Sequence, residues 1–295
     1  MLRTALLSLL LAAGASAQGV PQDTVDALVM SRDGHSVELA EVVNAMANAD
    51  VVFLGEIHDD SLGHVVQTHL LRAAHERFGT RRPLVLGLEM FETDVQGVLD
   101  EYAAGLIRER DFLAASRPWG NYAEAYRPMV EFAIANDVPV VATNAPGRYV
   151  SYVSREGGAD ALTALSDDAR ATMPATVAPP SDALDAAFRE IMDRMGAAHA
   201  GMPGMPTMDG MLAAQNLRDV TMAWALHRAM PEATASARPL AIHLNGAFHS
   251  DSGLGIPEHL ARIAPGLRVM TVTIGPDAMP GRDAFAIRTR AVPGR

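Results

Sequence analysis

Two spacings of apolar residues alternate along this chain. Short continuous apolar runs, each bounded by turn-forming residues, read as strands buried on both faces: Val51 to Leu54, Leu84 to Leu88, Val138 to Ala142, Leu240 to Leu244 and Leu267 to Ile274. Between them apolar residues recur three and four apart, the spacing of a helix that buries one face. Such stretches cover Leu62 to Phe78, several segments from Leu88 through Ala114, Ala123 to Ala135, a region near Tyr149, Asp182 to His199, Asp209 to Met230 and Pro257 to Ile263. Ahead of these, Ala27 to Leu39 alternates about Arg32-Asp33-Gly34-His35, a hairpin signal, and Val37 to Met46 begins a helix leading into the first buried strand.

Strand alternating with helix predicts an α/β fold, a mostly parallel sheet flanked by helices. Two long helical runs in succession, with no strand between them, predict a helical insertion, a lid at about residues 160–230, before the last two strands. The expected organisation is a leader over 1–17, a hairpin and lead-in helix over 18–48, the α/β domain over 49–275 and a tail over 276–295.

Where the strands stop, polar residues begin. Glu56 and His58 follow the first run, Glu89 the second, Asn144 the third, and His249 follows Leu240 to Leu244. The carboxyl edge of an open parallel sheet is where such folds collect ligands, so these side chains are candidates for one crevice. Each also has a plainer reading as a helix cap or turn residue, and Asn144 before Ala145-Pro146 suits that reading equally well. Two of the strand ends share a Gly-x-x-His spacing, Gly55-Glu56-Ile57-His58 and Gly246-Ala247-Phe248-His249.

Charge and composition narrow the chemistry. The formal charge of -11 argues against nucleic acid and anionic membrane surfaces as partners. Every basic side chain is an arginine, which removes lysine Schiff bases and a Walker-type phosphate loop; the absence of cysteine removes disulfides, thiolate metal sites and a lipid-anchored leader. Thr4 to Ala13, between Arg3 and Ala15-Ser16-Ala17, reads as a cleavable secretory signal cut near Ala17 and is too short for a membrane anchor, which takes about 20 residues. The expected location is therefore the periplasm or the exterior.

Glu56, His58, Glu89 and His249 make a two-carboxylate, two-histidine set suited to zinc, manganese, cobalt or iron(II). In a metal-dependent hydrolase, Glu56 or Glu89 takes the proton of the bound water. His64 begins the helix after the first motif and can face the same crevice, whereas His243, among apolar strand neighbours, reads as a satisfied core histidine. Gln215, Asp219 and Met222 share one helix face with Arg218 beside it; the arginine suits a ligand carboxylate or an ordinary surface ion pair. The methionines at 192, 195, 202, 205, 208 and 211 suit an adaptable apolar cover better than a thioether metal site.

Taken in order, Leu54-Gly55-Glu56-Ile57-His58-Asp59 with His64, Leu88-Glu89-Met90-Phe91, Tyr126-Arg127-Pro128, Ala142-Thr143-Asn144-Ala145-Pro146, Ala214-Gln215-Asn216-Leu217-Arg218-Asp219 and Asn245-Gly246-Ala247-Phe248-His249 resemble the ChaN-like haem-binding family, within a grouping that includes the Tiki proteases and erythromycin esterases. The resemblance spans about Ala49 to Gly275. It implies haem as cofactor, a periplasmic or outer-surface role in iron or haem uptake, and sites that pair across a homodimer. Its Tiki branch implies instead a metal-dependent peptidase, mapped here onto His58, His249 and Glu89, with a peptide or other small molecule as substrate. The chain departs from the family at Val65, where many members carry a second histidine. An alternative haem ligand is a tyrosinate, with Tyr122, Tyr126, Tyr149 and Tyr152 as candidates. His58, His64, His249, Asn144, Gln215 and Arg218 complete the haem-binding set.

Overall fold

In the computed structural model, which describes residues 28–194, 206–230, 232, 238–281 and 283–289, the apolar runs form adjacent strands of one sheet. The strands are β1 (Leu28–Ser31), β2 (Ser36–Val37), β3 (Val51–Glu56), β4 (Leu84–Glu92), β5 (Val140–Asn144), β6 (Leu240–Gly246), β7 (Val269–Gly275) and β8 (Phe285–Arg288). Their order across the sheet is β2-β1-β8-β7-β3-β6-β4-β5, parallel from β8 to β5 and antiparallel at the β1 end. The leader assigned to residues 1–17 lies outside the described residues.

Helices follow the strands as the spacing predicts: α1 (Leu39–Ala45), α2 (Ser61–Phe78), α3 (Gln96–Ala103), α4 (Glu109–Ser116), α5 (Tyr122–Ala125), α6 (Arg127–Ala135), α7 (Gly147–Glu156), α8 (Asp167–Arg170), α9 (Asp182–Arg194), α10 (Met208–Ala229) and α11 (Ile256–Ile263). None of the described helices is long and apolar enough to cross a membrane.

Alternate side chains of each strand feed two cores. On one face Val52, Leu54, Leu86, Leu88, Ile242 and Leu244 meet α2 and α6 through Leu70, Leu71, Met129 and Val130. On the other, Val51, Phe53, Val85 and Ala241 meet Met222, Ala223 and Leu226 of α10 and Ile256 and Leu260 of α11. Each fully buried large aliphatic side chain contributes about 1.5–3 kcal/mol. The second helix of the insertion is thus a layer of the core as well as part of an excursion. Thr207 caps it, its Oγ1 accepting from the Gly210 N–H at 3.0 Å.

Three differences from the sequence pattern have physical causes. The third strand begins at Val140 rather than Val138, although the Pro139 carbonyl still accepts from the Leu86 N–H. β4 runs on through Glu89 to Glu92 with a register shift after Leu88, an irregularity of the kind that re-aims a side chain beside a site. Residues assigned to a C-terminal tail contribute β8, which is wedged between β7 and β1 and joins the hairpin to the parallel sheet. Its four residues are too short for a periodic signal.

At the amino ends of the strands, Asp50 is buried and accepts both guanidinium edges of Arg238 and Arg268, at 2.9–3.1 Å. Arg82 donates to the carbonyls of Met46, Ala49, Arg238 and Pro239. That end of the sheet is closed. The open chemistry lies at the other end.

Candidate functional site

β3 and β6 are neighbours although 190 residues separate Val51 from its partner Ala241 in sequence, and their register pairs Glu56 with Gly246. The two Gly-x-x-His segments therefore leave the sheet side by side. Each glycine makes room for the other segment. A side-chain carbon on Gly55 would stand 2.9 Å from the Ala247 Cα and 3.0 Å from the Ser250 Oγ, and one on Gly246 would stand 2.8 Å from His58 Cε1 and 2.9 Å from its Nε2. Real contacts of this kind are not that short, so the spacing of both motifs follows from close packing.

Glu56 is buried and gathers three neighbours. His58 Nδ1 lies 3.0 Å and the Tyr126 hydroxyl 2.6 Å from its Oε1, while His64 Nε2 is 3.3 Å from its Oε2. The last is an ion-pair contact, and neither Glu56 Oε2 nor His64 Nε2, both buried, has a hydrogen bond. Burial raises the Glu56 pKa, but the contacts with His58, His64 and Tyr126 outweigh it and hold the carboxyl below its usual range. Burial pushes His58 down; its bond to Glu56 and the charges of Glu89 and Glu56 push it further up.

Glu89 and His249 form the second pair. Glu89 Oε2 accepts from the Gly246 N–H at 2.7 Å, and Oε1 lies 3.3 Å from His249 Nε2. His249 Nδ1 donates to Asp219 Oδ1 on α10. The Gln215 amide nitrogen, one helical turn before Asp219, sits 2.8 Å from the same ring nitrogen. With a carboxylate at each nitrogen the ring is held as an imidazolium: burial lowers its pKa, yet Glu89 and Asp219 together raise it to about 10. Burial likewise raises Glu89, but His249, His58 and the Gly246 N–H bring it down to about 2. Asp219 goes up to about 6 because its burial exceeds the attraction of His249, and its Oδ2 has no partner.

A third group frames His58. Trp119 meets the His58 ring edge-on at 4.7 Å, and Asn121 donates to the His58 carbonyl at 2.8 Å. Sequence reasoning missed both; the available signal was Trp119, one of only two tryptophans, followed by Gly120-Asn121. Arg218 donates to Asn144 Oδ1 at 3.0 Å and makes no ion pair with a described residue. Below the site, His243 is buried between Thr143 and Asn245, at 2.8 Å and 3.0 Å, and burial takes its pKa down to about 4. It is the satisfied core histidine that its apolar neighbours predict, and a carbon on Gly87 would stand 2.6 Å from its ring.

The structure thus draws Glu56, His58, His64 and Tyr126 into one group and Glu89, His249, Gln215 and Asp219 into another, with Gly246 between them. Among the described residues, no three carboxylate or imidazole side chains are arranged to hold a metal ion. Tyr126 is fully buried with its hydroxyl committed to Glu56, and its pKa is raised by burial and by that carboxylate. Tyr149 packs beneath the Arg148 guanidinium, 4.3 Å above its ring; Tyr152 lies beneath Arg155, and Tyr122 is buried. Of the insertion methionines, 195, 202 and 205 lie outside the described residues.

Residues 42–260 match the family model described as "Haem-binding uptake, Tiki superfamily, ChaN". No curated protein matches the chain in sequence. A solved structure of ChaN from Campylobacter jejuni, described as binding haem cofacially, superposes with a TM-score of 0.66 at 14% identity, covering 89% of this chain and 96% of that one. An erythromycin esterase mutant in its open conformation matches with a TM-score of 0.45 at 13% identity, over 88% of this chain and 82% of the other. The Campylobacter likeness establishes a shared fold.

Proposed function

The chain belongs to the haem-binding uptake family of the Tiki superfamily that includes ChaN, and on that premise we propose that it is an exported haem-binding protein serving iron or haem uptake. The observation that carries the reading to particular residues is the state of His58. Its side chain is 45% exposed, and its Nδ1 faces Glu56. A carboxylate on one ring nitrogen fixes the tautomer that leaves the other as an iron ligand.

The surroundings fit the rest of such a cofactor. Ile57, 45% exposed, offers apolar surface beside His58, and Trp119 offers an aromatic edge. In this reading Arg218, half-buried and hydrogen-bonded to Asn144, takes a propionate. Bound haem would supply the iron to be carried. Glu56 orients the imidazole, Tyr126 and Asn121 hold that pair in place, and Arg218 anchors the anionic edge. The basic start, apolar run and Ala15-Ser16-Ala17 exit support export.

Haemin titration of the full chain tests the assignment. A stoichiometric Soret shift lost in His58→Ala and weakened in Arg218→Ala supports it; an unchanged spectrum in His58→Ala overturns His58 as the ligand.

A second reading, a divalent-metal hydrolase, draws support from the approach of both glutamate–histidine pairs to Gly246. For His249 to ligate a metal it must release either Glu89 or Asp219. Retained manganese or zinc that disappears in His58→Ala/His249→Ala, with no specific haem spectrum, would favour hydrolysis.

A further inference from the structure

Away from the strand ends, a cavity of about 570 Å³ opens along β5, the edge strand of the sheet. It lies between α3 and α10, lined by Ala103 on one side and Trp224, Ala225 and Arg228 on the other, with the chain from Val138 to Ala142 behind it. An extended residue advances ~3.3 Å, so the chain from Val138 to Ala142, which enters β5 at Val140, spans roughly 13 Å. A concave surface that sets apolar side chains beside a handful of polar ones, here Thr93, Gln96, Asp100, Thr172 and Arg228, is the usual form of a small-molecule site.

The strand edge itself is already covered. Gln96 donates to the Val140 carbonyl at 3.0 Å and accepts from the Ala142 N–H at 2.7 Å, standing in for a neighbouring strand. A peptide adding to the edge would have to expel it, whereas a ligand lying against Ala103, Trp224 and Ala225 would not.

The mouth supplies the polar recognition. The Arg228 guanidinium lies 4.6 Å from the centre of the Trp224 ring and forms no ion pair with a described residue. Asp100, the acidic group of the lining, is already hydrogen-bonded by Gln96 at 2.7 Å. Stacking over an aromatic face leaves the guanidinium edge open to a carboxylate.

We propose that this cavity binds a single-tailed amphipathic carboxylate, its alkyl chain between Ala103 of α3 and Trp224 and Ala225 of α10 and its carboxylate on Arg228. The proposal is independent of the haem reading, because no residue of the two glutamate–histidine groups lines the cavity.

Calorimetric titration of the full chain with decanoate, and in parallel with decanol, tests it. One decanoate per chain is expected, weakened at least about tenfold by Arg228→Ala, which leaves decanol binding unaltered. Ala103→Phe, a change at an exposed wall position, should abolish both, with an unchanged melting temperature showing that the protein is folded. Absence of decanoate binding, decanoate binding that survives Ala103→Phe, or equal affinity for decanol in the unmodified chain would each overturn the proposal.

Discussion

The His58 imidazole occupies the space that a side chain on Gly246 would need. The added carbon would lie 2.9 Å from His58 Nε2 and 3.7 Å from Glu89 Oε2. This one contact ties the end of β3 to the end of β6 and brings the two glutamate–histidine pairs together.

Gly246→Ala should therefore move His58 more than it disturbs the fold. Overpacking at such a site costs about 1–3 kcal/mol, and haemin affinity should fall by about tenfold or more while the far-ultraviolet circular dichroism stays the same. Unaltered affinity would show that His58 is not held by this contact in solution.

Tyr126→Phe separates a structural tyrosine from an iron ligand. With its hydroxyl donated to Glu56, its removal should cost about 1–3 kcal/mol of stability and leave the haem spectrum in place. Loss of the Soret shift with an intact fold would make Tyr126 the ligand.

Acid should weaken the protein through Asp50 and Glu89. Both carboxyls are held at about 2 in the folded chain, against about 4 when unfolded. Their contribution is present above pH ~4 and is lost as pH falls towards ~2. Asp50→Asn should reduce stability by about 3 kcal/mol at neutral pH, since it leaves Arg238 and Arg268 without their shared anion, and should flatten the acid limb. A pH–stability profile by urea unfolding measures both effects.

His249 gives the opposite sign. Raised to about 10, it contributes stability that is fully present below its unfolded pKa of ~6.5 and is lost as pH rises through its folded value. Asp219→Asn removes one of its two carboxylates and should lower the midpoint of its imidazole resonance in NMR titration. A midpoint that does not move would mean that Glu89 alone sets the charge of the ring.

Much of this was written in local patterns. The apolar runs gave the parallel strands, and the polar residues just beyond them, Glu56, His58, Glu89, Asn144 and His249, do stand at one end of the sheet. The family resemblance followed the same ordered segments and agrees with the match over residues 42–260. Strand β8 was not legible, being short and defined by its partners.

Hydrophobic spacing is a property of neighbours in the chain, so sequence determined which segments become strands and helices and which polar residues emerge at their ends. It did not determine who meets whom. That Glu56 takes Tyr126, that Glu89 and Asp219 share His249, and that Trp119 and Asn121 frame the first histidine follow from how the strands β3-β6-β4-β5 and the helices packed on them, α10 among them, are brought together. Those contacts join residues far apart in the chain, and the close packing of the folded interior, with room for a ring only where Gly246 lacks a side chain, selects them.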